Sequence, residues 1–146
     1  MATGRPLDSI KKIAKNKEDD AIKVLVRQRE ILASHRHRLD DLKSYYEEYQ
    51  QHYIKKSSEG TDIQQVNSYR QFLARLREMI ALQAQVVEQS QQVLSEKTVV
   101  WNERRAHHKG VEKVIKRQQD GASREEMRRE QRDADEIAQH ITPKPF

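Results

Sequence analysis

The chain has 146 residues, of which 35% are charged and only 35% are hydrophobic, with a net charge of +5. So little apolar material excludes a large compact core, while the modest net charge and the regular apolar spacing exclude a disordered chain. The absence of cysteine excludes a disulfide framework and thiol chemistry, and it suits a reducing compartment. These limits favour an extended helical protein.

The prolines, Pro6, Pro143 and Pro145, lie at the two ends of the chain, so proline permits continuous helix between them. In the first arm, Pro6 to about Lys56, apolar and aromatic side chains recur in alternating steps of three and four residues. This seven-residue repeat keeps them on one seam, which is typical of helices that wind around each other. One row, called a, is Leu25, Leu32, Leu39, Tyr46 and Tyr53, and the other, called d, is Ala21, Gln28, His35, Leu42 and Tyr49.

A turn separates the two arms at SSEGTD, Ser57 to Asp62. Gly60 is surrounded there by turn formers, and Thr61 with Gln64 resembles a capping box, which begins a helix. A connection this short makes two helices antiparallel, because each must bury its apolar stripe against the other. The sequence predicts helix 1 at about 7–56, the turn at 57–62 and helix 2 at about 63–140, within a single elongated coiled-coil domain of residues 1–146.

The second arm carries the same repeat from Val66 to Ile115, and its a row breaks only at His108. Its d row turns polar beyond Leu76. The register that centres the turn places Tyr46 opposite Leu76, and the register one heptad away stays open. The a row is Val66, Leu73, Ile80, Val87, Leu94, Trp101, His108 and Ile115, and the d row is Tyr69, Leu76, Gln83, Ser90, Lys97, Arg104, Val111 and Gln118.

The two sides of the seam differ in character. In an antiparallel hairpin the g positions of both helices border one side, here mostly apolar, and the e positions border the other, here polar with a basic bias. Helices show apolar residues at a, d and g when something else covers them. The apolar edge therefore predicts either a docking surface for another protein or a homodimeric four-helix bundle, because such long strips rarely stay exposed. The g positions are Val24, Ile31, Arg38, Tyr45, Phe72, Met79, Val86, Val93 and Val100, and the e positions are Arg29, Arg36, Lys43, Arg70, Arg77, Ala84, Gln91, Thr98 and Arg105.

The tail from Asp120 to Phe146 mixes arginine and glutamate with almost no apolar residue. Asp120 and Gly121 weaken the helix, whereas i,i+4 pairs such as Glu125 with Arg129 support it locally. We expect a solvated, fraying helix that ends before Pro143. The predicted fold is all-α, a long two-stranded antiparallel coiled coil, or helical hairpin, with a frayed C-terminal tail.

The residues that carry enzyme chemistry do not form a recognisable site. His35 and His37 are two positions apart and His107 and His108 are adjacent, and neither pair has the spacing of metal ligands. No phosphate-binding glycine loop or nucleophile motif is present, and two paired helices offer no pocket that shields a reaction from water. We predict that the protein is not an enzyme, with no cofactor and no metal.

Nucleic-acid binding is the alternative suggested by the basic e positions and a pI near 9.5. The 23 acidic residues dilute this charge and no nucleic-acid-binding motif is present, so we expect no nucleic-acid partner. The N-terminus lacks an apolar signal region, and no apolar run approaches the length of a membrane span. The sequence therefore predicts a soluble cytoplasmic protein.

Five stretches of the chain resemble one known family. They are KEDDA at 17–21, LDDLKSYYEEY at 39–49, SYRQFLARL at 68–76, Trp101, and DEIAQ at 135–139. Together they are similar to the FliJ family, the central stalk-like component of the bacterial flagellar type III export apparatus. The resemblance covers the whole chain, and its most specific pieces are the Tyr-x3-Tyr before the turn and the Tyr-x2-Phe after it.

The resemblance implies a two-stranded antiparallel coiled coil similar to the rotor shaft of ATP synthase. It implies three partners: the hexameric flagellar export ATPase, the cytoplasmic domain of the export-gate protein, and export chaperones. It places the protein in the cytoplasm, peripheral at the inner face of the cell membrane, with membrane contact only through the export apparatus. The implied export-gate patch is Leu42, Tyr45, Tyr49, Phe72 and Leu76, with Arg38, Met79 and Gln83 as possible additional positions where a family member has glutamine, alanine and histidine.

Overall fold

The computed structural model describes residues 4–60 and 62–141, which form two long α-helices. Helix α1 spans Gly4–Ser58 and helix α2 spans Ile63–Ile141. The helices pack together as a hairpin, and the described residues contain no strand. This confirms the predicted all-α antiparallel coiled coil. Relative to the predicted bounds of 7–56 and 63–140, α1 continues into the predicted turn as far as Ser58.

The turn is held by bonds at the end of α1 and the start of α2. The Glu59 amide donates to the Lys55 carbonyl over 3.2 Å, and Gly60 adopts a φ of 75°, the left-handed conformation in which glycine commonly ends a helix. At the other side, Asp62 Oδ1 accepts from the Gln64 amide over 3.5 Å, as an N-cap carboxylate does. The predicted capping box includes Thr61, which lies outside the described residues.

The chain divides into two units, residues 19–102 and residues 1–18 with 103–146. In the unit of residues 19–102, burial follows the predicted rows. Leu25 is fully buried, and Leu32, Leu73 and Leu76 are buried with it, because both helices turn their a and d positions inward. The prediction of one elongated domain stays a prediction.

The unit that contains both ends of the chain has a smaller apolar core. Ala14 and Ile115 are its buried hydrophobic residues among those described, and each side chain from 116 to 141 is exposed. Helix α2 nevertheless continues through this charged stretch to Ile141. No helix in the described part of the chain is both long and apolar enough to cross a membrane.

Candidate partner-binding surface

The apolar edge predicted from the g positions is present, and partners can reach it. Tyr45 is 56% exposed and Phe72 is 39% exposed, although they come from different helices. The helices need only their a and d positions to pack on each other, so the g positions stay partly uncovered. The other g residues of this edge that are large, apolar and exposed are Val24, Met79 and Val100, and the half-buried ones are Ile31, Val86 and Val93.

Near the turn the edge carries an aromatic cluster. The rings of Tyr49 and Phe72 lie with centroids 4.5 Å apart and planes tilted by 54°, within the range that aromatic pairs favour. Tyr49 also contacts His52 in an edge-on arrangement at 6.5 Å. Tyr49 is half-buried in the seam, so its ring packs against the inner side of the exposed Phe72 ring.

The five positions of the implied export-gate patch lie at different depths. Tyr45 and Phe72 face outward, Leu42 and Tyr49 are half-buried, and Leu76 is only 5% exposed. Only the first two present large exposed surfaces, while Leu76 fills the seam below. The patch as a binding site stays a prediction.

The three additional positions also differ from one another. Arg38 and Met79 are exposed, whereas Gln83 is 8% exposed. Its Nε2 donates a hydrogen bond of 3.0 Å to the carbonyl oxygen of His35 in α1. Gln83 therefore holds the two helices together at a polar layer of the seam, and its amide is already engaged within the hairpin.

An open groove adjoins the aromatic cluster on the side of the turn. Tyr49, Tyr69 and Phe72 form its apolar part, and Lys56 and Asp62 line its polar part. The groove is the kind of shallow surface into which a partner's side chain can insert beside an aromatic anchor.

The polar edge carries two contacts between tyrosine and arginine that sequence reasoning missed. Arg77 Nε donates to the hydroxyl of Tyr46 over 2.8 Å, and Arg70 Nε donates to the hydroxyl of Tyr53 over 3.0 Å. The Arg70 hydrogen bond and charge hold the pKa of the Tyr53 hydroxyl below its ordinary value of 10.0. These contacts could have been predicted from the sequence, because Tyr46 and Tyr53 occupy a positions of the first arm and Arg70 and Arg77 occupy e positions of the second.

In the unit that contains the chain ends, His108, which interrupts the apolar a row of α2, contacts two carboxylates. His108 Nδ1 lies 2.5 Å from Glu18 Oε2 of α1, and its Nε2 lies 3.2 Å from Glu112 Oε1. The second contact has the distance of an ion pair without hydrogen-bond alignment, since Nε2 is buried and makes no hydrogen bond. No cluster of three or more potential metal ligands occurs among residues 4–60 and 62–141.

Comparison with known proteins agrees with this architecture. Residues 3–143 match the family model described as flagellar FliJ protein. The solved structure of a putative YscO homolog, CT670 from Chlamydia trachomatis, has a similar fold, with a TM-score of 0.70, 21% sequence identity and 93% of each chain covered. No curated protein matches the chain. Because the family model matches nearly the whole sequence, the chain belongs to the FliJ family, and it is a component of the flagellar type III export system.

Proposed function

We propose that the protein is a non-enzymatic stalk of the flagellar export apparatus, and that its turn half binds the cytoplasmic domain of the export-gate protein. In this proposal the half with the chain ends binds the hexameric export ATPase and regulates it. The stalk also receives export chaperones, and it is cytoplasmic and peripheral at the membrane through the apparatus. Family membership supports this set of partners.

The observation that carries the gate contact is the pair Tyr45 and Phe72. They are exposed on one edge and come from different helices, with Tyr49 packed behind Phe72. Large aromatic side chains held in place by the fold lose little conformational entropy on binding, so they act as anchors of interfaces. Only the closed hairpin brings these two rings to one side, which ties partner binding to the fold.

Two further features support the rest of the proposal. A pair of helices buries one narrow seam, and a catalytic site needs a cavity that excludes water, so the architecture favours a binding role. The exposed stretch 116–141 of α2 mixes arginine and glutamate, which suits an electrostatic contact with the ATPase. The placement of the half with the chain ends in the ATPase ring rests on analogy with the shaft of ATP synthase.

The test is the Phe72→Ala variant, titrated calorimetrically against the purified cytoplasmic domain of the gate protein. We expect binding to weaken by about 2 kcal/mol, roughly 30-fold, because an exposed aromatic anchor is removed. Circular dichroism should show unchanged helix content, because Phe72 lies outside the a and d rows. Leu82→Ala is the matched control, since Leu82 is exposed on the same helix but outside the apolar edge. Unchanged gate affinity in Phe72→Ala, or an equal loss in Leu82→Ala, would remove this cluster from the gate site.

The second candidate function is a homodimeric structural scaffold. The observation that favours it is the length of the apolar edge, which continues beyond the aromatic cluster through Val24, Val86 and Val100. Two hairpins could cover this edge by pairing with each other as a four-helix bundle. The oligomeric state distinguishes this candidate from the stalk.

A further inference from the structure

The polar edge has an arrangement that the proposed gate contact does not use. Two arginines of α2, Arg70 and Arg77, stand one heptad apart, and each donates its Nε to a tyrosine hydroxyl of α1. Arg77 also lies over the ring of Tyr46, with its guanidinium carbon 5.5 Å from the ring centroid. The tyrosines therefore fix the directions in which both guanidinium groups point.

The positive charge of both guanidinium groups is not matched by a carboxylate within the hairpin. Their hydrogen-bond partners are phenol hydroxyls, and within residues 4–60 and 62–141 neither guanidinium group forms an ion pair with a carboxylate. Each bond uses Nε, so the terminal amino groups of the fork stay available to a carboxylate. The hydrogen bond from Arg70 also lowers the pKa of the Tyr53 hydroxyl.

A groove connects the two arginines. Tyr46 and Tyr53 line it on the α1 side together with the exposed Ile54, and Leu73 and Ala74 line it between the arginines. At 1.5 Å per residue, one heptad separates the arginine positions by about 10 Å. The site thus offers two fixed positive charges at its ends and an apolar strip between them.

We propose that this groove docks an acidic segment of a protein partner, in which two carboxylates one heptad apart pair with Arg70 and Arg77. An apolar side chain of that segment lies on Ile54 and Ala74. Charge complementarity favours an acidic occupant, and the apolar strip favours a peptide with an apolar side chain over a nucleic-acid backbone, which carries a charged phosphate at every nucleotide. The docking site lies on the edge opposite to the apolar edge and does not depend on the proposed gate contact.

The probe is a fluorescent synthetic helical peptide that carries two glutamates seven residues apart and a leucine midway between them. We expect the wild-type chain to bind it at low salt and to lose affinity as salt rises. The double variant Arg70→Gln, Arg77→Gln should bind at least tenfold more weakly, measured by fluorescence anisotropy. The variant Tyr46→Phe, Tyr53→Phe, which retains the charges but not the hydroxyls, should bind about threefold more weakly.

Arg75→Gln is the matched control, because Arg75 is an exposed arginine of the same helix outside the groove and its loss should leave peptide affinity unchanged. Circular dichroism of each variant verifies that the helices persist. The proposal is overturned if a peptide with both glutamates replaced by glutamine binds equally well, or if Arg75→Gln weakens binding as much as the double variant. It is also overturned if a single-stranded oligothymidylate binds more tightly than the peptide and its binding depends on Arg70 and Arg77.

Discussion

At the scale of single residues, tyrosine serves both edges of the hairpin. Tyr45 at a g position points outward on the apolar edge, whereas Tyr46, the next residue, lies in the seam and sends its hydroxyl to Arg77 on the polar edge. A tyrosine can do both because its ring packs like a hydrophobic side chain while its hydroxyl still needs a hydrogen-bond partner. Adjacent tyrosines therefore contribute to opposite faces of the same molecule.

The contact between Tyr53 and Arg70 predicts how Tyr53 titrates. Because Arg70 favours the phenolate, Arg70→Gln should raise the pKa of Tyr53 toward its ordinary value of 10.0. The folded pKa lies below the unfolded one, so the additional stability that ionisation of Tyr53 gives is present above the unfolded pKa and is lost as pH falls through the folded pKa. It contributes nothing near neutral pH.

Ultraviolet absorbance of the phenolate measures this titration, and the Tyr53→Phe variant identifies which transition belongs to Tyr53. Arg75→Gln is the control and should leave the midpoint where it is. An Arg70→Gln variant with the wild-type midpoint would show that Arg70 does not perturb this hydroxyl.

At the scale of the helices, polar residues in the seam define how α1 and α2 align. Gln83 of α2 bonds to the backbone of α1 at His35, and His108 of α2 pairs with Glu18 of α1. A polar group buried in a seam costs free energy unless it meets its partner, so any sliding of one helix along the other is penalised. The buried leucines stabilise the pairing of the helices, and these polar contacts favour one alignment of α2 along α1.

The Glu18→Ala variant tests the importance of the pair in the unit of the chain ends. We expect the free energy of unfolding to fall by about 2 kcal/mol, because the largely buried His108 loses its hydrogen-bond partner. Glu112→Ala removes a more exposed carboxylate, which lies in α2 with His108, and should lower the free energy of unfolding by only about 0.3 kcal/mol. Urea unfolding followed by circular dichroism measures both. If the two variants lose equal stability, the hydrogen bond between Glu18 and His108 does not contribute more to stability than the exposed contact with Glu112.

The heptad rows in the sequence were enough to predict the helices, their pairing and the buried positions Leu25, Leu32, Leu73 and Leu76. They succeed because burial repeats with the helix period, which is a property of the chain alone. Contacts that depend on which polar atoms meet across the seam were not predicted. His108 was interpreted as a break in the row, since its partner Glu18 is distant in sequence and is recognisable only when the alignment of the helices is known.

Contacts within the candidate surface were also hard to predict from the sequence, because they too depend on how the two helices pack. The position of Phe72 outside the a and d rows predicted an outward ring, but the packing of Tyr49 behind it depends on the spacing between the helices. Gln83 was assigned to the additional patch positions by resemblance, whereas its burial follows from its d position. The depth of each patch residue thus follows from its heptad position, which the resemblance alone did not take into account.

At the scale of the whole molecule, one surface property separates the stalk from the scaffold. A stalk keeps its apolar edge free for other proteins, and a scaffold covers that edge with a second copy. The proposed function requires the first arrangement.

Sedimentation equilibrium at micromolar concentration should therefore give the mass of a single chain, 17.3 kDa. We expect this mass because the proposed stalk keeps its apolar edge for other proteins and does not cover it with a second copy. A dimer that dissociates in the Tyr45→Ala, Phe72→Ala double variant but persists in Leu82→Ala would instead support the scaffold.

The single tight turn also has a consequence for the order in which the molecule folds. The contacts across the hairpin join residues 17 positions apart at Arg70 and Tyr53, 31 apart at Arg77 and Tyr46, and 48 apart at Gln83 and His35. His108 and Glu18 are 90 positions apart. Because the entropy lost in closing a loop grows with its length, we expect the hairpin to close from Gly60 outward, with each closed contact shortening the loop that the next one must close. In this order Glu18 and His108, whose contact closes the longest of these loops, would meet last.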